Sequence, residues 1–174
     1  MTTNLQSNLA RFNSLPSGEA ERELLQCCGS KEWAQRTIAA RPFANFGELI
    51  TKAEQVWWSL ASPDWLEAFH SHPKIGEKKA ATPTSDQSKH WSEAEQAEVS
   101  TAAQETLTEL ANLNRQYEEK FGYIFIVCAT GKSSEEMLAI LRARLENHAS
   151  QEMRNAAAEQ ARITQLRLKK LIDS

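Results

Sequence analysis

The sequence predicts an all-α fold of about eight helices in one domain, residues 1–174, and three observations carry that prediction. Glycine and proline are few, six and five in 174 residues, while the strong helix formers Ala, Leu, Glu, Gln and Arg dominate over β-branched residues. Apolar residues recur at spacings of three and four along most of the chain. Only Tyr123 to Val127 is strongly β-prone. A lone strand has no partner for its backbone, so a short, buried extended connector near 122–129 is expected between helices.

In chain order, Leu5, Leu9 and Phe12 line one side of a helix over 4–13, and Ser14 to Gly18 turn around Pro16. A helix from Glu19 to Cys28 stops at Gly29, read as a left-handed cap. Ser30 opens the next, with Trp33, Thr37 and Ala40; it ends before Arg41-Pro42, where the α region is disfavoured. Asn45, with Glu48 three residues on, caps a helix to Leu60. Its Phe46, Leu49, Ile50, Ala53, Val56, Trp57 and Leu60 make a full amphipathic stripe, with Trp58 partly off it. Ser62-Pro63 starts a helix that carries Trp65, Leu66 and Phe69 inward and delivers His70 and His72 at its end. Ser92 begins the longest helix, to Lys120. Ser133 and Glu136 form a capping box for a helix through Leu145, and Ser150 opens the last, to Ile172.

Composition excludes several functions. A net charge of −3 leaves no basic footprint for nucleic acid or an anionic membrane. No run of about 20 apolar residues could span a bilayer. The N-terminus lacks the charge and apolar core of a signal peptide, so a cytoplasmic location is expected. Three cysteines, Cys27, Cys28 and Cys128, without a C-x-x-C read as reduced structural thiols.

The segment from Phe69 to Gln96 is polar, long and without apolar periodicity, and it holds three of the four histidines. A polar loop longer than about 12–15 residues in a compact domain is usually functional or disordered. His72 precedes Pro73, which holds it in extended backbone beyond the helix, a rigid point for a group that titrates near neutrality. His70, still on the helix, is explained by the macrodipole at a C-terminus. An H-x-H pair needs a third metal ligand, and none has ligand spacing, so no metal is expected. Glu95 stands three residues after Ser92, which a capping box alone explains; a carboxylate beside unpaired N–H groups could equally grip a polar heterocycle. On a projection of about 100° per residue, Arg167 falls inside the apolar sector of the last helix, among Met153, Ala157, Ala161, Ile163, Leu168 and Leu171. Two readings are open for it, a buried ion pair or a clamp for an anion or carbonyl.

These motifs, in this order, resemble the OHCU decarboxylase family. The residues are His72-Pro73 after a Trp/Leu/Phe helix, Ser92-x-x-Glu95-Gln96, Asn114-x-x-Tyr117-x-x-x-Phe121-Gly122, the run Phe121 to Ala129, Leu166-Arg167-Leu168 and Arg41-Pro42-Phe43. The resemblance implies an all-helical homodimer with no metal or organic cofactor, acting on a small-molecule substrate, 2-oxo-4-hydroxy-4-carboxy-5-ureidoimidazoline, in purine breakdown. The products implied are (S)-allantoin and carbon dioxide. By position it implies His72 and Glu95 as catalytic residues. Pro73, Ser92, Gln96, Arg167 and the backbone of Phe125, Ile126, Val127, Cys128 and Ala129 would bind substrate. Many members have Asp-Leu-Ala-Gly after His-Pro, where this chain has Lys74-Ile75-Gly76-Glu77. Two other classes compete: a hydrolase of a related ureide, with Glu95 and His72 activating water, and a non-catalytic helical interaction module.

Overall fold

The computed structural model describes residues 2–74 and 104–173, and over those residues the chain forms eight helices and no strand. They are α1 (Thr2–Ser14), α2 (Ser17–Cys27), α3 (Lys31–Ala39), α4 (Phe46–Ser59), α5 (Ser62–His70), α6 (Gln104–Phe121), α7 (Ser134–Leu145) and α8 (Ala149–Asp173). The all-α class is as the sequence predicts. The start expected at Ser92 for the helix ending near Lys120 lies outside the described residues. None of the described helices is long and apolar enough to cross a membrane. Two compact units are distinguished, Met1–Ala68 with Ala161–Ser174, and Phe69–Gln160.

In the first unit α3 packs against both α2 and α4. Trp33 is fully buried there, and its indole N–H donates to the Ala53 carbonyl at 2.9 Å, so the ring fills the core without leaving a polar atom unpaired. Leu9, Phe12, Leu24, Leu49 and Trp57 complete the apolar interior. Two caps match the sequence reading. Ser30 Oγ accepts from the Trp33 N–H at 3.3 Å, and Asn45 Oδ1 accepts from the Glu48 N–H at 2.9 Å. Glu48 reaches back to the Ala44 N–H at 2.7 Å. Arg41, joined to Pro42 by a cis peptide, donates to the Phe12 and Leu15 carbonyls at 3.0 and 2.9 Å, supplying donors that the end of α1 lacks. Trp58 is 41% exposed and meets Trp65 of α5 edge-on, with centroids 5.8 Å apart.

The left-handed cap expected at Gly29 is overturned. Cys28 takes the cap position in extended backbone (φ −149°, ψ 123°), and its N–H bonds to the Leu24 carbonyl. The reason is the short link: α3 starts at Lys31 and needs Ser30 extended (φ −90°, ψ 120°) as its own cap, so the chain leaves α2 already extended. The left-handed position is used instead at Gly122 (φ 81°), whose N–H bonds to Glu118 O at 2.8 Å as α6 ends.

In the second unit α6 and α7 pack together. Between them runs the expected connector, with Tyr123 to Ala129 buried and irregular. Tyr117, Phe121, Tyr123 and Phe125 form an aromatic cluster with centroid separations of 4.7 to 6.3 Å. Ser133 and Glu136 make both bonds of the capping box at the start of α7. The Asn45 cap gives a direct test of the first unit. Asn45→Ala is expected to cost about 1 kcal/mol, read as a lower denaturant midpoint at unchanged slope, whereas an unmoved midpoint would mean that the cap contributes nothing.

Candidate active site

His72 stands two residues beyond α5. Its backbone N–H closes a turn onto the Phe69 carbonyl at 3.2 Å, and Pro73 follows, so the main chain is held on both sides of a half-buried imidazole. The ring Nε2 lies 2.7 Å from Oε1 of Gln160, a fully buried residue of α8. An amide oxygen only accepts, so this contact places a proton on Nε2. His70 sits exposed in the last turn of α5, as the macrodipole reading has it. Lys74 pairs with Glu118 at 2.6 Å, an exposed bridge of small energetic weight.

The connector's backbone is held by side chains. The Ile126 carbonyl accepts from Arg144 Nη1 at 2.5 Å, and the Cys128 N–H donates to Glu159 Oε2 at 2.7 Å. Lys132 Nζ donates to the Cys128 carbonyl at 2.7 Å. Arg144 is buried, yet its charge is matched: Nε donates to Glu152 Oε1 at 2.6 Å, and Glu152 also receives the Tyr117 hydroxyl and, at 2.8 Å, Asn147 Nδ2. The guanidinium lies 4.7 Å from the Phe125 ring centroid. Burial, aided by the Glu152 carboxylate, pushes the Tyr117 hydroxyl far above its ordinary range, while the Arg144 charge opposes the rise; the hydroxyl therefore stays a donor.

Arg167 is 3% exposed, as its place in the apolar sector predicts, and its Nη1 donates to the Gln26 carbonyl at 3.5 Å. The neighbouring thiols are free and buried. Burial pushes the Cys28 thiol up to about 12 and Cys27 higher still, against the lowering influence of the Arg167 charge. Both thiols thus stay neutral at ordinary pH, and neither cancels the cation.

His72, Pro73 and the connector from Phe125 to Ala129 fall in the unit Phe69–Gln160, and consecutive residues of α8 tie them down, Gln160 on the imidazole and Glu159 on Cys128. Arg167 belongs to the other unit. Glu95, Ser92, Gln96 and His90 lie outside the described residues. Sequence reasoning missed Gln160, although the projection that singles out Arg167 puts Gln160 at ~60° from Ile163, well inside the apolar sector. It missed Arg144 as well, three residues after Leu141 and seven after Met137 on the buried stripe of α7.

The OHCU decarboxylase family model matches residues 13–169. The uric acid degradation bifunctional protein TTL of Arabidopsis thaliana is 39% identical over 152 residues, which is 87% of this chain and 47% of that protein. The 2-oxo-4-hydroxy-4-carboxy-5-ureidoimidazoline decarboxylase of Amia calva is 31% identical over 77% of this chain and 76% of its own length. Among solved structures, an OHCU decarboxylase crystallised in the presence of (S)-allantoin superposes with a TM-score of 0.76 at 38% identity, covering 88% of this chain and 99% of that one. The chain spans about half or less of the length of the bifunctional relatives it matches.

Removing one member of the buried pair strands the other. Glu152→Ala is expected to destabilise by about 3–5 kcal/mol, and a paired Arg144→Met, Glu152→Leu replacement to recover part of that loss in denaturant unfolding, the Ile126 carbonyl still lacking its donor. Additive losses in the paired variant would show that the two charges are not coupled.

Proposed function

The chain belongs to the OHCU decarboxylase family, and from that premise we propose that it converts 2-oxo-4-hydroxy-4-carboxy-5-ureidoimidazoline to (S)-allantoin and carbon dioxide in urate degradation. The reading is carried by the correspondence, along nearly its whole length, with the solved decarboxylase crystallised with (S)-allantoin. A homodimer of one catalytic domain per chain, residues 1–174, working in the cytoplasm on a small molecule and with no metal or organic cofactor, completes it.

Such a decarboxylation must stabilise the negative charge left on carbon and then deliver a proton to one face. The ring carbonyl and imine of the substrate delocalise the charge. Arg167, Ser92 and Gln96 hold the ring and ureido oxygens, the electrostatic part of the work. Pro73 and the backbone from Phe125 to Ala129 shape the rest of the pocket, and the bonds to Arg144 and Glu159 keep that backbone in one conformation. Glu95 lies against the substrate carboxylate or hydroxyl, where its charge makes the bound carboxylate less stable than departing CO2. His72 orients the hydroxyl or carboxylate and protonates the carbanion.

The test uses freshly generated substrate, followed by circular dichroism together with CO2 release. His72→Asn, once shown to fold, is expected to lose about a hundredfold to ten-thousandfold in rate, with loss of (S) excess; Glu95→Gln should fall in the same range. Full rate and full (S) excess in His72→Asn would remove the role given to the histidine. Ring opening without loss of carbon from the unaltered chain would point to a hydrolase, and no acceleration over the spontaneous reaction to a binding module.

A further inference from the structure

We propose that Gln160 is a positioning residue for His72, fixing the ring with its proton on Nε2 so that Nδ1 is the nitrogen that gives a proton to the substrate carbanion. The inference rests on the decarboxylase reading and extends it to a residue and an atom. Three observations support it. Nε2 and Oε1 are 2.7 Å apart. Gln160 is fully buried on α8, so its amide is held by packing rather than by chance contact. The adjacent Glu159 is engaged with the Cys128 N–H at 2.7 Å, which fixes the same turn of helix against the connector.

The chemistry favours an amide here. In the imidazolium both nitrogens carry protons, and the Gln160 oxygen accepts from Nε2. When the Nδ1–H bond breaks and its proton forms the new C–H bond, the electron pair stays on Nδ1. The ring is left neutral with its proton on Nε2, still donating to the same oxygen. The acceptor therefore serves the ring before and after transfer without moving. A carboxylate in its place would also orient the ring, but would stabilise the cation and make its proton harder to give.

The tautomer can be read without activity. Nitrogen-15 NMR of the full chain resolves the ring nitrogens of its four histidines, with His72 assigned by its absence in His72→Asn. At a pH where the ring is neutral, the expected result is His72 with Nε2 protonated and Nδ1 bare, the form left after transfer. Gln160→Glu is expected to keep that tautomer, and Gln160→Leu to populate both. In Gln160→Leu the expected kcat loss is about tenfold to a hundredfold, with KM within about twofold because ground-state binding is untouched. A wild-type ring with its proton on Nδ1 overturns the proposal whatever the activity. So does a Gln160→Leu chain with altered tautomers and unchanged kcat. If Gln160→Leu fails to fold, the wild-type tautomer and Gln160→Glu decide. A wild-type ring as expected but without decarboxylation overturns the functional reading and leaves the Gln160 contact standing.

Discussion

A buried stretch of backbone that is neither helix nor sheet is the constraint on which the Phe69–Gln160 unit depends. Tyr123 to Ala129 are buried, and their amides and carbonyls have no ladder to join. Buried main-chain groups left unpaired are costly, so partners must come from side chains. Arg144 supplies one, donating to Ile126, and Glu159 another, accepting from Cys128. A cation brought indoors for that purpose then needs a counter-charge. Glu152, fully buried, provides it, and Tyr117 and Asn147 satisfy the carboxylate's remaining oxygen lone pairs. The ion pair is thus a consequence of burying the connector and is not an independent source of stability.

Local rules made much of the helical chain readable in advance. Helix propensity and three-four spacing place α1 to α5, α7 and α8, because each must hide one face and little else in the sequence competes. The caps at Ser30, Asn45 and Ser133 follow from short side chains three residues before an amide donor. The connector was legible because a single β-prone run in a helical chain has only one way to be satisfied. Gly29 was misread because its glycine signal is local, while the conformation there is dictated by the Ser30 cap of the following helix.

Of the candidate site, only the charged and titratable members were legible in the sequence. His72 and Arg167 announce themselves, one by the proline behind it and the other by a charge in an apolar sector. Gln160 sits in the same sector as Arg167, but a neutral amide among alanines raises no electrostatic alarm. Its partner is 88 residues away, and no spacing rule reaches that far. Arg144 and Glu152 are hidden for a related reason. Each reads as a surface charge near a helix end, and only the connector between α6 and α7 explains why both are inside.

The contrast between Arg144 and His72 bears on how such a site can be both rigid and reactive. Arg144 is held by a carboxylate, which fixes its charge as well as its position. A proton donor held that way would be a poor one, since the carboxylate stabilises the protonated ring and resists the transfer. His72 is held by an amide instead, 2.7 Å from the fully buried Gln160. Orientation is thereby separated from charge stabilisation. In the proposed chemistry the carboxylate that acts on the substrate is Glu95. A neutral acceptor behind the ring puts no fixed negative charge on the Gln160 side, so in the proposed transfer nothing there holds the proton back on His72.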